Sequence, residues 1–265
     1  MVTGIESFRE WFSEYEDQYV IIGGTACDIL MAEEGMNFRA TKDMDVVLIV
    51  ENISTEFGRI FWEYIKMAGY VHRKSSTGKV QFYRFTHPCS SQYPAMIELF
   101  TRKPDNVVLP EDAGLTPLPI EEYVSSLSAI LLDEAYYSLL KLGKHVADGV
   151  MVLDAAYLIP FKAKAWLDLN MRKENGEQID SKNIRKHKND IFRLTELIDP
   201  FEKISLPLEV QQDMKTFLGK MKSEEVQLKQ LGITGRSKDE ILEELSDIYQ
   251  IKETSTGAPF YMSRQ

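Results

Sequence analysis

The sequence has few cysteines, no long apolar run and a shortage of positive charge. Cys27 and Cys89 are its two cysteines. They lie far apart and form no CxxC pair, which excludes a disulfide-built scaffold and a cysteine-held zinc centre. Both read as reduced thiols of a cytoplasmic protein. No apolar stretch reaches the roughly 18 residues that a membrane span requires, so no membrane partner is expected. Residues 1–16 are amphipathic and acidic, without the basic start and apolar stretch of a secretory signal. Lysine and arginine number 31 against 41 aspartates and glutamates, a formal net charge of −10. That excludes a general nucleic-acid coat, whose work needs a broad cationic surface. His72, His87 and His145 show no ligand spacing. Two common phosphate signatures are missing as well: neither GxGxxG nor a glycine followed by Lys-Ser/Thr occurs.

What is present begins with an ordinary apolar content of 44%, sufficient for one large or two modest cores. Ile5, Phe8, Phe12 and Tyr15 recur at helical spacing, with Trp11 beside them. Tyr19 to Ile22 is a short apolar strand that runs into Gly23-Gly24, after which Thr25 to Ala32 reads as a helix. Met44 to Val50 is a buried strand. Ser54 is placed to cap a helix running to about Ala68. Val80 to Phe85 and Ala95 to Phe100 are two further strands. Pro104, Pro110, Gly114, Pro117 and Pro119 then mark a linker. Beyond it the pattern is mostly helical: Ala155 to Met171 with Asp154 as N-cap, a helix opening at Asp180 or Ser181 and running to Ile198, Leu208 to Met221, and Ser237 to Tyr249. Ser237 and Glu240 form a capping-box pair. Pro160 either kinks its helix or marks its start. The polar tail from Glu253 onward is left open between loose and docked. The expected class is therefore α+β, with a mixed sheet and its helices over residues 1–120. A mainly helical unit is expected over residues 121–265.

Three features of the first unit carry chemistry. Gly23-Gly24-Thr25, between a strand and a helix, lets backbone approach an anion, and the helix start offers unpaired N–H groups and a positive dipole end. Asp43 and Asp45 stand two apart at the entry of a strand, so both carboxylates point to one side. Converging oxygens of this kind are what Mg²⁺ or Mn²⁺ requires. Glu98 is a lone acid in an apolar strand, costly unless partnered; a metal site beside Asp43 and Asp45 would supply the partner. Metal ions held by three such acids activate an attacking hydroxyl and neutralise leaving pyrophosphate, and Glu98 is also placed to accept the hydroxyl's proton.

In the order and spacing of these pieces the sequence resembles the nucleotidyltransferase superfamily that includes DNA polymerase beta. More narrowly it resembles the AbiEii-type toxin family. Gly23-Gly24-Thr25-Ala26 matches its first motif, and Arg39-Ala40-Thr41-Lys42-Asp43-Met44-Asp45 matches R-x-T-x-D-x-D in full. Leu158 to Lys162 matches L-x-x-x-K, and Lys186 to Phe192 matches the basic stretch that leads to an Asp and a hydrophobic pair. Two departures stand out: Arg193 occupies a place that often holds another acid, and Asn189 stands where a basic residue is usual. The matches cover residues 19–195. The resemblance implies a bilobed enzyme, the helical unit completing an active-site cleft between the lobes, that transfers a nucleotide from a nucleoside triphosphate, with Mg²⁺, to a hydroxyl on tRNA or protein. It also implies a possible cognate antitoxin.

On that resemblance, Asp43, Asp45 and Glu98 are the expected metal ligands. These three acids, with Lys162 and Asp190, form the expected catalytic set. Gly23, Gly24, Thr25, Arg39 and Lys42 are the expected triphosphate contacts. Lys162 reaches phosphate across the cleft; Lys164 reads as structural. Asp190 orients Lys162, positions the substrate, or is a surface acid paired with Arg193 or Lys186. Arg39 either binds phosphate or braces Asp43. Lys182, Arg185, Lys186, His187 and Lys188 form the densest basic stretch, either a solvated helix face or a phosphate or tRNA contact. Two rival readings remain: a catalytically inactive nucleotidyltransferase fold used for binding or regulation, and a phosphohydrolase using the same acids.

Overall fold

The computed structural model describes residues 2–76, 81–101, 116–117, 130 and 133–251. Elements follow in chain order as α1 (Ile5–Phe12), β1 (Tyr19–Ile22), α2 (Gly23–Glu33), β2 (Asp43–Leu48), α3 (Thr55–Met67), β3 (Val71–Ser76), β4 (Gln81–Thr86), β5 (Met96–Thr101) and β6 (Thr116–Pro117). The second part contains α4 (Glu134–Leu142), β7 (Lys144–Ala147), β8 (Val150–Leu153), α5 (Ala155–Glu174), α6 (Ser181–Leu194), α7 (Leu208–Met221) and α8 (Lys238–Ile248). The class is α+β, as the periodicities require. Of the proline-marked linker, Thr116 and Pro117 are described, as β6; the rest, and the tail from Glu253, lie outside the described residues.

One mixed sheet organises the molecule, in the order β6-β3-β4-β5-β2-β1-β8-β7. β2 is central, antiparallel to β1 and parallel to β5. Its residues Met44 to Leu48 are all buried, which explains the continuous apolar run. α1 buries Ile5, Phe8 and Phe12. Their rings meet Tyr19 of β1 and Phe57, Phe61 and Tyr64 of α3, with Phe12 to Tyr64 at 5.4 Å between centroids. Edge-to-face pairs of this kind add to area burial, and this cluster fixes the start of the chain on the sheet. The Ser54 hydroxyl caps α3 by accepting from the Phe57 N–H at 3.0 Å.

The sheet also takes strands from beyond residue 120. β7 and β8 form a hairpin, and β8 runs parallel to β1. The sequence reads as mostly helical there, but the turn is Asp148-Gly149 with φ of 48° and 69°. Two consecutive positive φ values are what a tight hairpin turn demands, and Asp-Gly supplies them. β3 is also absent from the sequence reading; Val71-His72-Arg73-Lys74-Ser75-Ser76 has no apolar alternation to reveal it.

α5 runs unbroken from Ala155 to Glu174 with Pro160 inside it. Proline lacks the N–H that would bond to the carbonyl four residues back. That carbonyl, on Ala156, instead accepts from the Tyr249 hydroxyl at 2.6 Å. Such a replacement is worth on the order of 1 kcal/mol, and it ties α5 to the end of α8. The expected caps are present: Asp154 accepts from Ala156 N–H, Asp180 from Lys182 N–H, and Ser237 and Glu240 form a complete capping box. α5 packs on α6 and α7, and α2 reaches from the sheet to both α5 and α6. That last contact, with the pairing of β8 on β1, joins the two parts of the chain beside the start of α2.

Candidate functional site

The site forms where α2 leaves β1. Gly23 starts the helix with φ of 71°, and no side chain caps its first turn. A Cβ added at Gly23 would lie 2.0 Å from Asp45 Oδ2; one at Gly24 would lie 2.8 Å from Thr41 Oγ1 and 3.3 Å from an Arg39 nitrogen. The two glycines are therefore required by close approach, and the helix start opens directly beside Asp45. The Thr25 hydroxyl donates to the Asp43 carbonyl at 2.7 Å, which locks the turn to the entry of β2. Cys27 donates back to the Gly23 carbonyl. It is buried, and burial pushes its thiol up to about 11, so it is an inert part of the core.

Asp45 and Glu98 face each other as register partners on parallel strands. They are 3% and 2% exposed. Burial pushes Asp45 well above the usual carboxylate range, and the neighbouring Glu98 pushes it further. Burial raises Glu98 too, against the opposing pull of Arg84. Arg84, opposite Glu98 on β4, donates to Glu98 Oε1 through Nε at 2.8 Å, and a terminal nitrogen makes an ion-pair contact with the same oxygen at 2.7 Å. Glu98 Oε2 is buried and accepts from no donor among the described residues. Asp43 is half-buried on the same side of β2 as Asp45. No group of three acids, histidines or cysteines among the described residues is already drawn together at metal-holding spacing.

The second part of the chain contributes a charge network. Asp190 on α6 is fully buried. It accepts from Arg39 at 2.9 and 2.7 Å and from Lys162 Nζ at 2.8 Å. Burial alone would raise the Asp190 carboxyl, but Lys162 and Arg39 outweigh it and hold the group well below the usual range. Lys162, 4% exposed, is disfavoured as a cation by burial and kept charged chiefly by Asp190. Asp190 thus orients Lys162; the surface-acid alternative does not hold. Arg39 braces Asp190 rather than Asp43. Arg193 donates to the Asn37 carbonyl and shares the Phe38 ring with Arg39, each guanidinium 5.0 Å from its centroid.

The basic stretch divides by helix face. Lys182 and Arg185 are exposed, while Lys188 pairs with Glu224 at 2.6 Å. Lys186 is half-buried and turns toward Arg39, Lys162 and Asp45; burial and the two neighbouring cations lower it. His187 is buried, and burial together with Lys162 lowers it to about 3, so its ring is neutral. Lys164 pairs with Asp213 at 2.9 Å, a structural role as expected. Lys42 is exposed and takes part in none of these contacts. Sequence reasoning did not single out Arg84, nor separate Lys186 from its basic neighbours. Arg84 shows itself only once β4 and β5 are paired in register. Lys186 could have been selected by its spacing of four from Asp190, which puts both on one helix face.

No protein-family model matches the sequence, and no curated protein does. Among solved structures, the chain is similar to an antigenic nucleotidyltransferase-like protein from Paracoccidioides brasiliensis. Identity is 15%, the alignment covers 87% of this chain and 93% of that one, and the TM-score is 0.42. A likeness that slight leaves the chain's own geometry to carry the functional reading.

Proposed function

We propose that the protein is a metal-dependent nucleotidyltransferase that moves a nucleotide from a nucleoside triphosphate to a hydroxyl of tRNA or of a protein. Its resemblance to AbiEii-type proteins extends the proposal to the toxin of a toxin–antitoxin pair. The observation that carries the reading is the closure of the uncapped α2 start onto Asp45, with Gly23 leaving no room for a side chain. A phosphate-binding helix end and an acid for a divalent cation then share one spot.

The residues fit Mg²⁺ or Mn²⁺. Asp43, Asp45 and Glu98 offer hard oxygen donors only, and Glu98 Oε2 is buried without a donor. When bound, the cation would neutralise charge on the triphosphate and on the attacking oxygen. The chain's own residues do the rest. Backbone N–H groups of Gly23, Gly24 and Thr25 hold phosphate oxygens. Lys162, kept charged and oriented by Asp190, stabilises charge that develops on the leaving pyrophosphate. Arg39, anchored through Asp190, closes the phosphate side, and Lys42 contacts the triphosphate from the exposed edge. Glu98 completes the acids on the acceptor side. The hydroxyl attacks the α-phosphorus in line, its proton passes to Glu98, and pyrophosphate departs toward the cationic wall of α5 and α6.

A second reading, an inactive fold kept for binding, is favoured by one observation: Glu98 Oε1 is already engaged by Arg84. Incubation with Mg²⁺ and each triphosphate labelled at the α-phosphate separates the two readings, with total tRNA in one set and cell lysate in another. Label on RNA or protein that vanishes in Asp45→Ala is the expected result. A folded protein that labels nothing in any lane favours the inactive module. Release of inorganic phosphate without a labelled acceptor favours the phosphohydrolase.

A further inference from the structure

Arg84 has no place in the reading above, yet its geometry toward Glu98 is specific. Nε donates to Oε1 at 2.8 Å, and a terminal guanidinium nitrogen lies 2.7 Å from the same oxygen. The other oxygen, Oε2, is buried and accepts from no donor among the described residues, and the group beside it is the Asp45 carboxyl. Arg84 and Glu98 are direct partners across β4 and β5, and Glu98 and Asp45 are direct partners across β5 and β2. The three side chains therefore form a row across three strands, cation, acid, acid, held by the sheet rather than by loops. Arg84 is itself largely buried, with 14% of its side chain exposed. A guanidinium so placed holds a carboxylate with directional N–H bonds that an ammonium does not reproduce.

We propose that Arg84 is a positioning residue that fixes Glu98 for divalent-cation binding, so that Glu98 offers Oε2 alone, alongside Asp45. The proposal rests on the nucleotidyltransferase reading of this site. The N–H bond and the ion-pair contact occupy Oε1 and set the rotation of the carboxyl. Without them Glu98 is free to turn Oε2 away from the cation. Partners that orient a metal ligand from behind alter metal affinity by about 10–100-fold when removed.

The test is Mn²⁺ binding to the intact chain without nucleotide, followed by calorimetry and by the loss of free-ion paramagnetic signal. Wild type, R84Q, R84K and D45N are compared, each checked for folding by thermal melt. R84Q is expected to bind Mn²⁺ about tenfold or more weakly than wild type. R84K, which keeps the charge and one donor, is expected to fall between them, and D45N to lose the site. If R84Q binds Mn²⁺ as well as wild type or better, the positioning role is wrong while the metal site stands. If wild type binds no Mn²⁺, or D45N binds it unchanged, both the positioning role and the functional reading fail. Should R84Q not fold, R84K decides: affinity equal to or above wild type overturns the proposal.

Discussion

Arg39 and Asp190, 151 residues apart, meet in a two-point ion pair with N–O distances of 2.9 and 2.7 Å. Arg39 stands in the segment that leads to the acids of β2; Asp190 stands on α6 and also holds Lys162. One buried carboxylate therefore couples the cradle side of the site to its cationic wall. Removing it would strand a buried ammonium.

That asymmetry gives an ordering. Asp190→Ala leaves Lys162 buried with its anion gone, which costs about 3–5 kcal/mol. Lys162→Met leaves Asp190 still paired with Arg39, so its cost is smaller. Urea unfolding of the two variants checks this. Equal losses, or a larger loss for Lys162→Met, would mean that Asp190 is not the keystone of the network.

His187 gives a pH signature. Its ring is held at about 3 in the folded chain, against about 6.5 unfolded. A depressed value stabilises the fold above the unfolded value, and the contribution is lost as pH falls from about 6.5 toward 3. The loss approaches 1.4 kcal/mol per pH unit for one proton. Asp45 and Glu98 act in the opposite sense, because raised carboxyls favour the fold at low pH and lose that contribution as pH rises. The difference between wild type and His187→Gln isolates the histidine. Urea midpoints from pH 7 to pH 4 are expected to converge as pH falls; a constant gap would contradict the buried neutral ring.

Gly23→Ala tests the cradle. The added Cβ would strike Asp45 Oδ2, and φ is 71°. Gly35, with φ of 68° and open space around it, isolates the backbone strain. Gly35→Ala is expected to cost about 1 kcal/mol. Gly23→Ala should cost more and should displace Asp45. Matching losses in the two variants would show that the close approach at Gly23 is not constraining.

Much of the site was legible because its parts are local. The strand-to-glycine-to-helix turn, the Asp-x-Asp pair and the acid in an apolar strand each follow from short-range periodicity, and β2 and β5 do place Asp45 beside Glu98. Partners set by long-range packing were not legible. Arg39 meeting Asp190, and Arg84 meeting Glu98, depend on helix docking and strand register that no local pattern encodes. The β7–β8 hairpin is a different kind of miss. Its Asp148-Gly149 turn was readable, but it lies in a region dominated by helical spacing. Pro160 was readable as a local conflict; its resolution, the Tyr249 hydroxyl on the Ala156 carbonyl, comes from the far end of the chain.

The central claim is that Gly23-Gly24, Asp43 and Asp45 form one metal–triphosphate site. The most direct measurement is calorimetric titration of the protein with a non-hydrolysable nucleoside triphosphate, with and without Mg²⁺, in wild type and Asp45→Ala. The account predicts Mg²⁺-dependent binding by wild type that disappears in a fully folded Asp45→Ala variant. Binding that is indifferent to Mg²⁺, or that survives unchanged in Asp45→Ala, would contradict it.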